Sequence, residues 1–402
     1  MFVFCGKRKI AVNIKESKFL FKGIEKDVLT KKEIKKTINS FFYENRLNLR
    51  NKKICVVIPD NTRPAHHKEI LPLLSRHLKK VSSRFYFIVA LGMHRPLTKS
   101  ELKNFLGDKF FCRNTVLQHS LSNLSGLGRI NDVPAYINAN IIGCDVIITL
   151  SVVEPHLYAG FSGGVKCIAI GLGGPETILY THSVEFLNKK GVRIGNIQTN
   201  PFQRFIWKVA QNLNKDIYSL NIVNNFQKDI MFISFGEAKI SFDKAVHFAR
   251  DLVSYPVREK FDLVFVGCDY PKEKSFYQAS RLFNYMLEAV PVVRRGGGIF
   301  VFAGLKNSLS RAEKNFEALL KKENIPLNYT FNKPGEHRAY KVIEASKFAR
   351  LGIISSCLYK KFPYVKFFKN YKDALSWARI KIKKVEQIAV IPSGFSFLPK
   401  NV

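Results

Sequence analysis

The stretch KICVVIPDNTRPAHHKEILPLLSRHLKKVSSRFYFIVALG (53–92) decides the fold class. KICVVIPD (53–60) is a compact β-branched run and predicts a strand. HKEILPLLSRHLKKV (67–81) repeats its apolar residues at helical spacing, and FYFIVALG (85–92) reads as the next strand. Strand, helix and strand in immediate succession predict a parallel pair joined by a crossover helix. Working outward, TKSELKNFL (98–106) predicts a helix opened by Thr98, with Glu101 three residues on as a capping box. CDVIITLSVV (144–153) predicts a buried strand that runs into a glycine-rich segment.

The pattern restarts after about residue 250. FDLVFVG (261–267), GGIFVFAG (297–304), LGIISS (351–356) and QIAVIPSG (387–394) predict strands. Between them, SFYQASRLFNYMLEAV (275–290), SRAEKNFEALLKK (310–322) and YKDALSWARIKI (371–382) predict helices. The reading is an α/β chain of two domains, 1–252 and 253–402, joined near SYPVREK (254–260). Each is expected to hold a mostly parallel sheet flanked by helices, with the site in the cleft between them.

Composition narrows the class. At 402 residues and 46% hydrophobic the chain can build substantial cores. Its longest apolar run, IIGCDVIITLSVV, is interrupted by Asp145 and falls short of the roughly 18 residues a membrane span needs. The opening MFVFCGKRKIAVNI puts its charges after a short apolar run, the reverse of a signal peptide. Seven cysteines without paired metal-finger spacing fit a reduced, cytoplasmic protein. The net charge of +34 raises a nucleic-acid partner, but the basic residues are dispersed and carry no aromatic-basic module. Within 151–200, Lys166, Lys189, Lys190 and Arg193 stand against Glu154, Glu176 and Glu185, a net of +1. The charge is therefore not where the chemistry is, and attraction of anionic substrates is its milder use.

The chemistry concentrates in EPHLYAGFSGGVKCIAIGLGGPETILYTH (154–182). Lys166 follows His156 by ten residues and precedes His182 by sixteen, among glycines where bare backbone can approach a ligand. A lone lysine in so apolar a setting suits covalent attachment. GFSGG (160–164) has the outline of a hydrolase nucleophile elbow, yet no strand is expected directly before it, so a serine hydrolase is disfavoured. GLGGPE (171–176) puts Glu176 where a dinucleotide fingerprint needs glycine, and reads as a tight turn into a helix with Pro175 in its first turn. In PDNTRP (59–64), Asp60 or Thr62 is expected to cap the following helix, and Arg63 to offer a fork to a carboxylate or phosphate. The plainer reading is a capped helix with a surface arginine. His94 in LGMHRPLT (91–98) sits past a strand end, where open α/β sheets bind ligands, though many such histidines are structural. YQASR (277–281) sets Gln278 and Arg281 on one helix face, by itself an ordinary solvated face.

Taken together, PDNTRP, ALGMHRPLT, EPH, AGFSGGVK, the histidine after that lysine, and DYP with YQASR occur in one order. That order resembles the nickel-pincer lactate racemase family over roughly residues 50 to 345. The resemblance implies that Lys166 tethers a sulfur-bearing, nicotinate-derived pincer mononucleotide and that His182 is the protein ligand of its nickel. It implies paired acid–base roles for His94 and His156, and cofactor contacts for Asp60 and Thr62. Arg63, Tyr277, Gln278 and Arg281 fall on substrate-side positions. The activity implied is racemisation or epimerisation of a small 2-hydroxy acid by reversible hydride transfer to the pincer ring, with cofactor-biosynthesis enzymes as partners. Arg281 departs from the family lysine and suits a larger or doubly acidic substrate. Two other classes stand beside this one: a lysine-dependent Schiff-base enzyme, PLP enzymes included, and a basic protein that binds an anion or nucleic acid in a dead cleft.

Overall fold

A computed structural model describes residues 1–401 except 16, 22–26, 306–309, 326–328, 330, 332, 357–360 and 383. The unit expected at 53–92 is present as the strand Lys53–Pro59, the helix His67–Val81 and the strand Arg84–Ala90. The two strands are parallel, Lys53 lying opposite Arg84 and Pro59 opposite Ala90.

These strands belong to a six-stranded sheet in the order Ile230–Glu237, Asp216–Asn224, Val146–Val152, Lys53–Pro59, Arg84–Ala90, Val116–Gln118. All neighbours are parallel except the first pair. Alternate residues feed opposite cores. Ile54, Val56, Phe87 and Ile148 pack under the helices Lys31–Glu44 and His67–Val81, which bury Ile38, Phe41, Ile70, Leu74 and Leu78. Cys55, Val57, Ile88 and Ile147 face the other way, onto Ile168, Phe202, Phe205 and Val209 of later helices. Each such fully buried side chain stabilises the fold by about 1.5–3 kcal/mol.

The second sheet has eight strands. Phe261–Asp269, Val293–Phe302, Arg350–Ile354 and Val365–Phe368 run side by side, all parallel. On the other flank of Phe261–Asp269 lie Ile388–Ile391 and, beside it, Phe2–Gly6. Residues before 20, counted with the first unit in the sequence reading, thus give three strands to the second sheet: Phe2–Gly6, Arg8–Ala11 and Ser17–Phe19. One buried cluster is continuous from the first sheet to Val264, Val266, Ile299 and Val301 of the second. SYPVREK also does more than join: Ser254–Pro256 pairs in parallel with Leu398–Lys400. The chain is therefore an α/β fold with two parallel-dominated sheets flanked by helices. Among the described residues no helix is long and apolar enough to cross a membrane.

Both sheets reverse their winding once. In the first, the chain goes outward from Lys53–Pro59 to Val116–Gln118, then lays Val146–Val152 on the opposite flank of Lys53–Pro59. In the second, the reversal lies at Phe261–Asp269. Loops leaving the carboxyl ends of strands at such a reversal part and leave a crevice.

One expected helix differs. Residues 275–290 form two short helices, Phe276–Ala279 and Arg281–Tyr285. Ser280 interrupts them, its hydroxyl donating to the Tyr277 carbonyl at 2.9 Å and competing with the main chain.

Gly160 shows how tightly the glycine segment is drawn. It has φ +73, and an added Cβ would lie 1.9 Å from the Asn196 carbonyl oxygen. Gly160→Ala is expected to cost about 3 kcal/mol, read as a lower urea midpoint with an unchanged slope.

Candidate active site

The first reversal point is built by two loops. One follows Lys53–Pro59 and carries Asp60, Thr62 and Arg63. Asp60 Oδ1 accepts from the Thr62 amide at 3.1 Å and from its hydroxyl at 2.5 Å, while Oδ2 pairs with His94 Nδ1 at 2.9 Å. Neither Asp60 nor Thr62 caps the helix, contrary to the sequence reading. His66 precedes its first residue, with φ 51 and no side-chain cap, because Asp60 is turned onto its own loop and onto His94. Burial would raise the Asp60 carboxyl, but His94, Thr62 and the charge of Arg63 hold it below its ordinary value. His94 lies past Arg84–Ala90, its side chain 59% exposed. With Nδ1–H donated to a carboxylate, its Nε2 lone pair is left to the open side.

The second loop begins with Glu154. Its Oε1 pairs with Arg63, and Lys272, from the loop after Phe261–Asp269, lies 3.0 Å from both its oxygens. Burial pushes the carboxyl up, yet Lys272 and Arg63 draw it down to about 2. The Tyr285 hydroxyl donates to the Pro155 carbonyl at 2.5 Å, a second tie between residues of the two sheets' loops and helices. Sequence reasoning missed Lys272 and passed over Glu154, since they stand 118 residues apart.

His156 follows and is buried. Its Nδ1 accepts from the amides of Tyr158 and Ala159 at 3.3 and 3.1 Å, so the neutral ring carries its proton on Nε2. Burial, then the charges of Lys166, Arg281 and Arg63, hold it well below the usual histidine range. Lys166 opens the short helix Lys166–Ala169 and has no ion pair or side-chain hydrogen bond among the described residues. Burial, then Arg63 and Arg281, lower its amine to about 7. His182 ends the helix Pro175–Thr181, which starts with Pro175 as expected. Its Nδ1 is 2.8 Å from the Ile178 carbonyl, so that nitrogen donates and Nε2 keeps a free lone pair. Burial lowers this ring to about 4. An orienting carbonyl behind one nitrogen is the usual support of a metal-binding imidazole, and a neutral amine beside it suits covalent attachment, so these residues fit a lysine-tethered metal group.

The glycines of this segment sit where the chain is tightly packed. Added Cβ atoms would meet Val153 at Gly163, Phe242 at Gly164, the Cys167 carbonyl at Gly171 and the Ala169 carbonyl at Gly173. They let the chain pack closely on itself. Ser162 is likewise structural: its hydroxyl donates to the Val152 carbonyl at 2.8 Å and is buried.

The second sheet's helices bring Tyr277, Gln278 and Arg281. Tyr277 packs edge-on against Phe316, and Arg281, without a hydrogen bond or ion pair among the described residues, extends its charge to His156, Lys166, His182 and Tyr277. The Gln278 side chain makes no hydrogen bond among the described residues. His337 and Arg338, unread in the sequence, open the helix Glu336–Phe348. The His337 ring lies 4.9 Å from His182, and Tyr158 lies 5.6 Å from His182 and 5.9 Å from His337. No motif spacing announces His337, whose neighbours come from a distant part of the chain.

The fold and these side chains define a class: an α/β protein whose strand-end loops and helices gather a half-buried lysine, histidines shifted toward their neutral form, and Arg281, which has no hydrogen bond or ion pair among the described residues. The sequence profile of the lactate racemase N-terminal domain matches residues 5–195, so over that span the chain is similar to the lactate racemases. It is 29% identical over 260 residues to the lactate racemase of Lactiplantibacillus plantarum, an alignment covering 63% of this chain and 60% of that relative. To the lactate racemase of Thermoanaerobacterium thermosaccharolyticum it is 24% identical over 368 residues, covering 87% and 85% of the two chains. The solved lactate racemase apoprotein of T. thermosaccharolyticum shares the fold, with a TM-score of 0.84 at 20% identity over 99% of both chains. A crystal structure of a protein from Thermotoga maritima matches with a TM-score of 0.69 at 17% identity, over 94% of this chain and all of that one.

Glu154→Gln leaves Arg63 and Lys272 without their counter-charge and is expected to cost about 3 kcal/mol at neutral pH. The carboxylate's contribution is complete above its ordinary value of 4.5 and is lost as pH falls through about 2. Denaturation of both proteins across that window checks it: the gap between wild type and variant must narrow with acid.

Proposed function

We propose that the chain is a racemase or epimerase of a 2-hydroxy acid, working with a nickel-pincer nucleotide tethered to Lys166 and ligated by His182. The observation that carries the reading is the Lys166 amine, lowered to about 7 within reach of the charges around His156 and His182. The match of residues 5–195 to the lactate racemase N-terminal domain and the similarity to two lactate racemases support it independently.

When bound, the group supplies an acceptor for the hydrogen on the substrate's carbinol carbon, which is far too weakly acidic for a histidine to remove as a proton. What remains for the protein is binding and proton traffic. His94, held by Asp60, offers the lone pair that takes the hydroxyl proton. His156 presents an Nε2–H to the substrate oxygen, completing an acid–base pair of unlike resting states. Arg281 meets the substrate carboxylate with an unpaired guanidinium. Burial of His156 keeps water from its side of the site.

The test is the intact mass of the chain made alongside pincer-cofactor biosynthesis, with a known lactate racemase loaded in the same cells as control. Wild type is expected to gain a mononucleotide-sized adduct and nickel, and Lys166→Ala neither. The loaded wild type should racemise a 2-hydroxy acid by polarimetry. A loaded control beside an unmodified wild type would sink the reading. Borohydride trapping of a keto acid on Lys166 would instead favour the Schiff-base class.

A further inference from the structure

We infer that the substrate carries a second carboxylate, received by Arg338 beside Tyr158 while Arg281 takes the first; this rests on the function proposed above and names its substrate class. Arg338 is 1% exposed, yet only Nη2 is engaged, donating to Asn284 Oδ1. Its Nε and Nη1 are buried with no hydrogen-bond partner among the described residues. The Tyr158 hydroxyl is likewise buried and unpartnered. Buried donors without partners are rare in native proteins, and those of a guanidinium are the costliest to leave unmet. Three such donors together mark a place where a ligand supplies the acceptors.

These donors adjoin the site. Tyr158 packs against His182 and His337, and the charges of Arg338 and Arg281 both reach its hydroxyl. Arg338 and Arg281 stand on the helices Glu336–Phe348 and Arg281–Tyr285, which the Asn284 amide ties together through the Lys341 carbonyl at 3.1 Å. The same Asn284 holds the Arg338 guanidinium in place, so the donors are preorganised. The nearby carboxylate, Glu288, lies 3.3 Å from Lys341 and feels the charge of Arg338, but makes no hydrogen bond to the Arg338 guanidinium among the described residues, while Glu154 is taken by Arg63 and Lys272. A simple 2-hydroxy acid has one carboxylate, which Arg281 satisfies alone. A dicarboxylic 2-hydroxy acid satisfies both arginines, whose planar forks match carboxylates.

Binding to the full-length unloaded chain tests this by calorimetry with malate, lactate and inorganic phosphate, for wild type and Asn284→Asp. The aspartate sets a carboxylate against Arg338, keeping the fold while removing its demand for an anion. Malate is expected to bind wild type about tenfold or more tighter than lactate, a preference lost in Asn284→Asp. Equal binding of malate and lactate, or a preference that survives in Asn284→Asp, overturns the inference. So does phosphate binding as tightly as malate with the same loss, because the subsite would then serve a phosphate. An Arg281→Lys variant, less exposed to misfolding, is expected to weaken both acids alike. Failure here leaves the Lys166 adduct untouched, and failure of the adduct leaves this binding result readable.

Discussion

The fold's two halves of chemistry depend on one carboxylate. Glu154 draws Arg63 across the reversal point of the first sheet and Lys272 from the reversal point of the second. Burying a carboxylate is costly, and only two cations with several hydrogen bonds offset it. The same contact fixes which arginine is free. Arg63 is committed to Glu154, whereas Arg281 has no partner among the described residues, so the chain separates a structural guanidinium from one available to an anion. A site assembled this way is positive without being charged by the dispersed surface lysines.

That positive field shapes the titrating groups. His156 is buried and Lys166, His182 and His337 are half-buried, all near arginines, and each is pushed toward its neutral form. Burial is the largest cause for every one, and repulsion from Arg281 adds to each. A neutral amine is a nucleophile and a neutral imidazole a ligand. The packing that excludes water is thus also what prepares the reactive states. The glycines contribute by letting Lys166 and His182 sit on short helices pressed against their own loops.

Continuous β-branched apolar runs and helical stripes made the strands and most helices legible, because in those segments local pattern and tertiary role agree. Thr98 with Glu101 forms the capping box that its spacing announces. The failures share a cause. Asp60 fits a cap by type, but its carboxylate is taken by His94, which is 34 residues away in sequence. The strands Phe2–Gly6 and Ser17–Phe19 give no local sign that their partners lie beyond residue 260. His337 and Arg338 look like any polar helix start. Of the site, the residues clustered around Lys166 were readable from spacing, whereas those brought by long-range topology were not.

The two histidines assigned to proton transfer also show why a site for both mirror forms of a substrate need not be symmetric. A chain of L-residues cannot present mirror-image surroundings to the two faces of one carbon. Here His94 is backed by a carboxylate and more than half exposed, while His156 is backed by two main-chain N–H groups and buried. A carboxylate behind an imidazole accepts its Nδ1–H, and amide donors behind one leave the ring proton on Nε2. On the racemase reading, the resting proton therefore belongs on opposite sides of the oxygen: an acceptor at His94, an N–H at His156. One arrangement then serves either enantiomer, because what must differ between the two histidines is which of them faces the oxygen with a proton, and their different backing makes that difference the resting state.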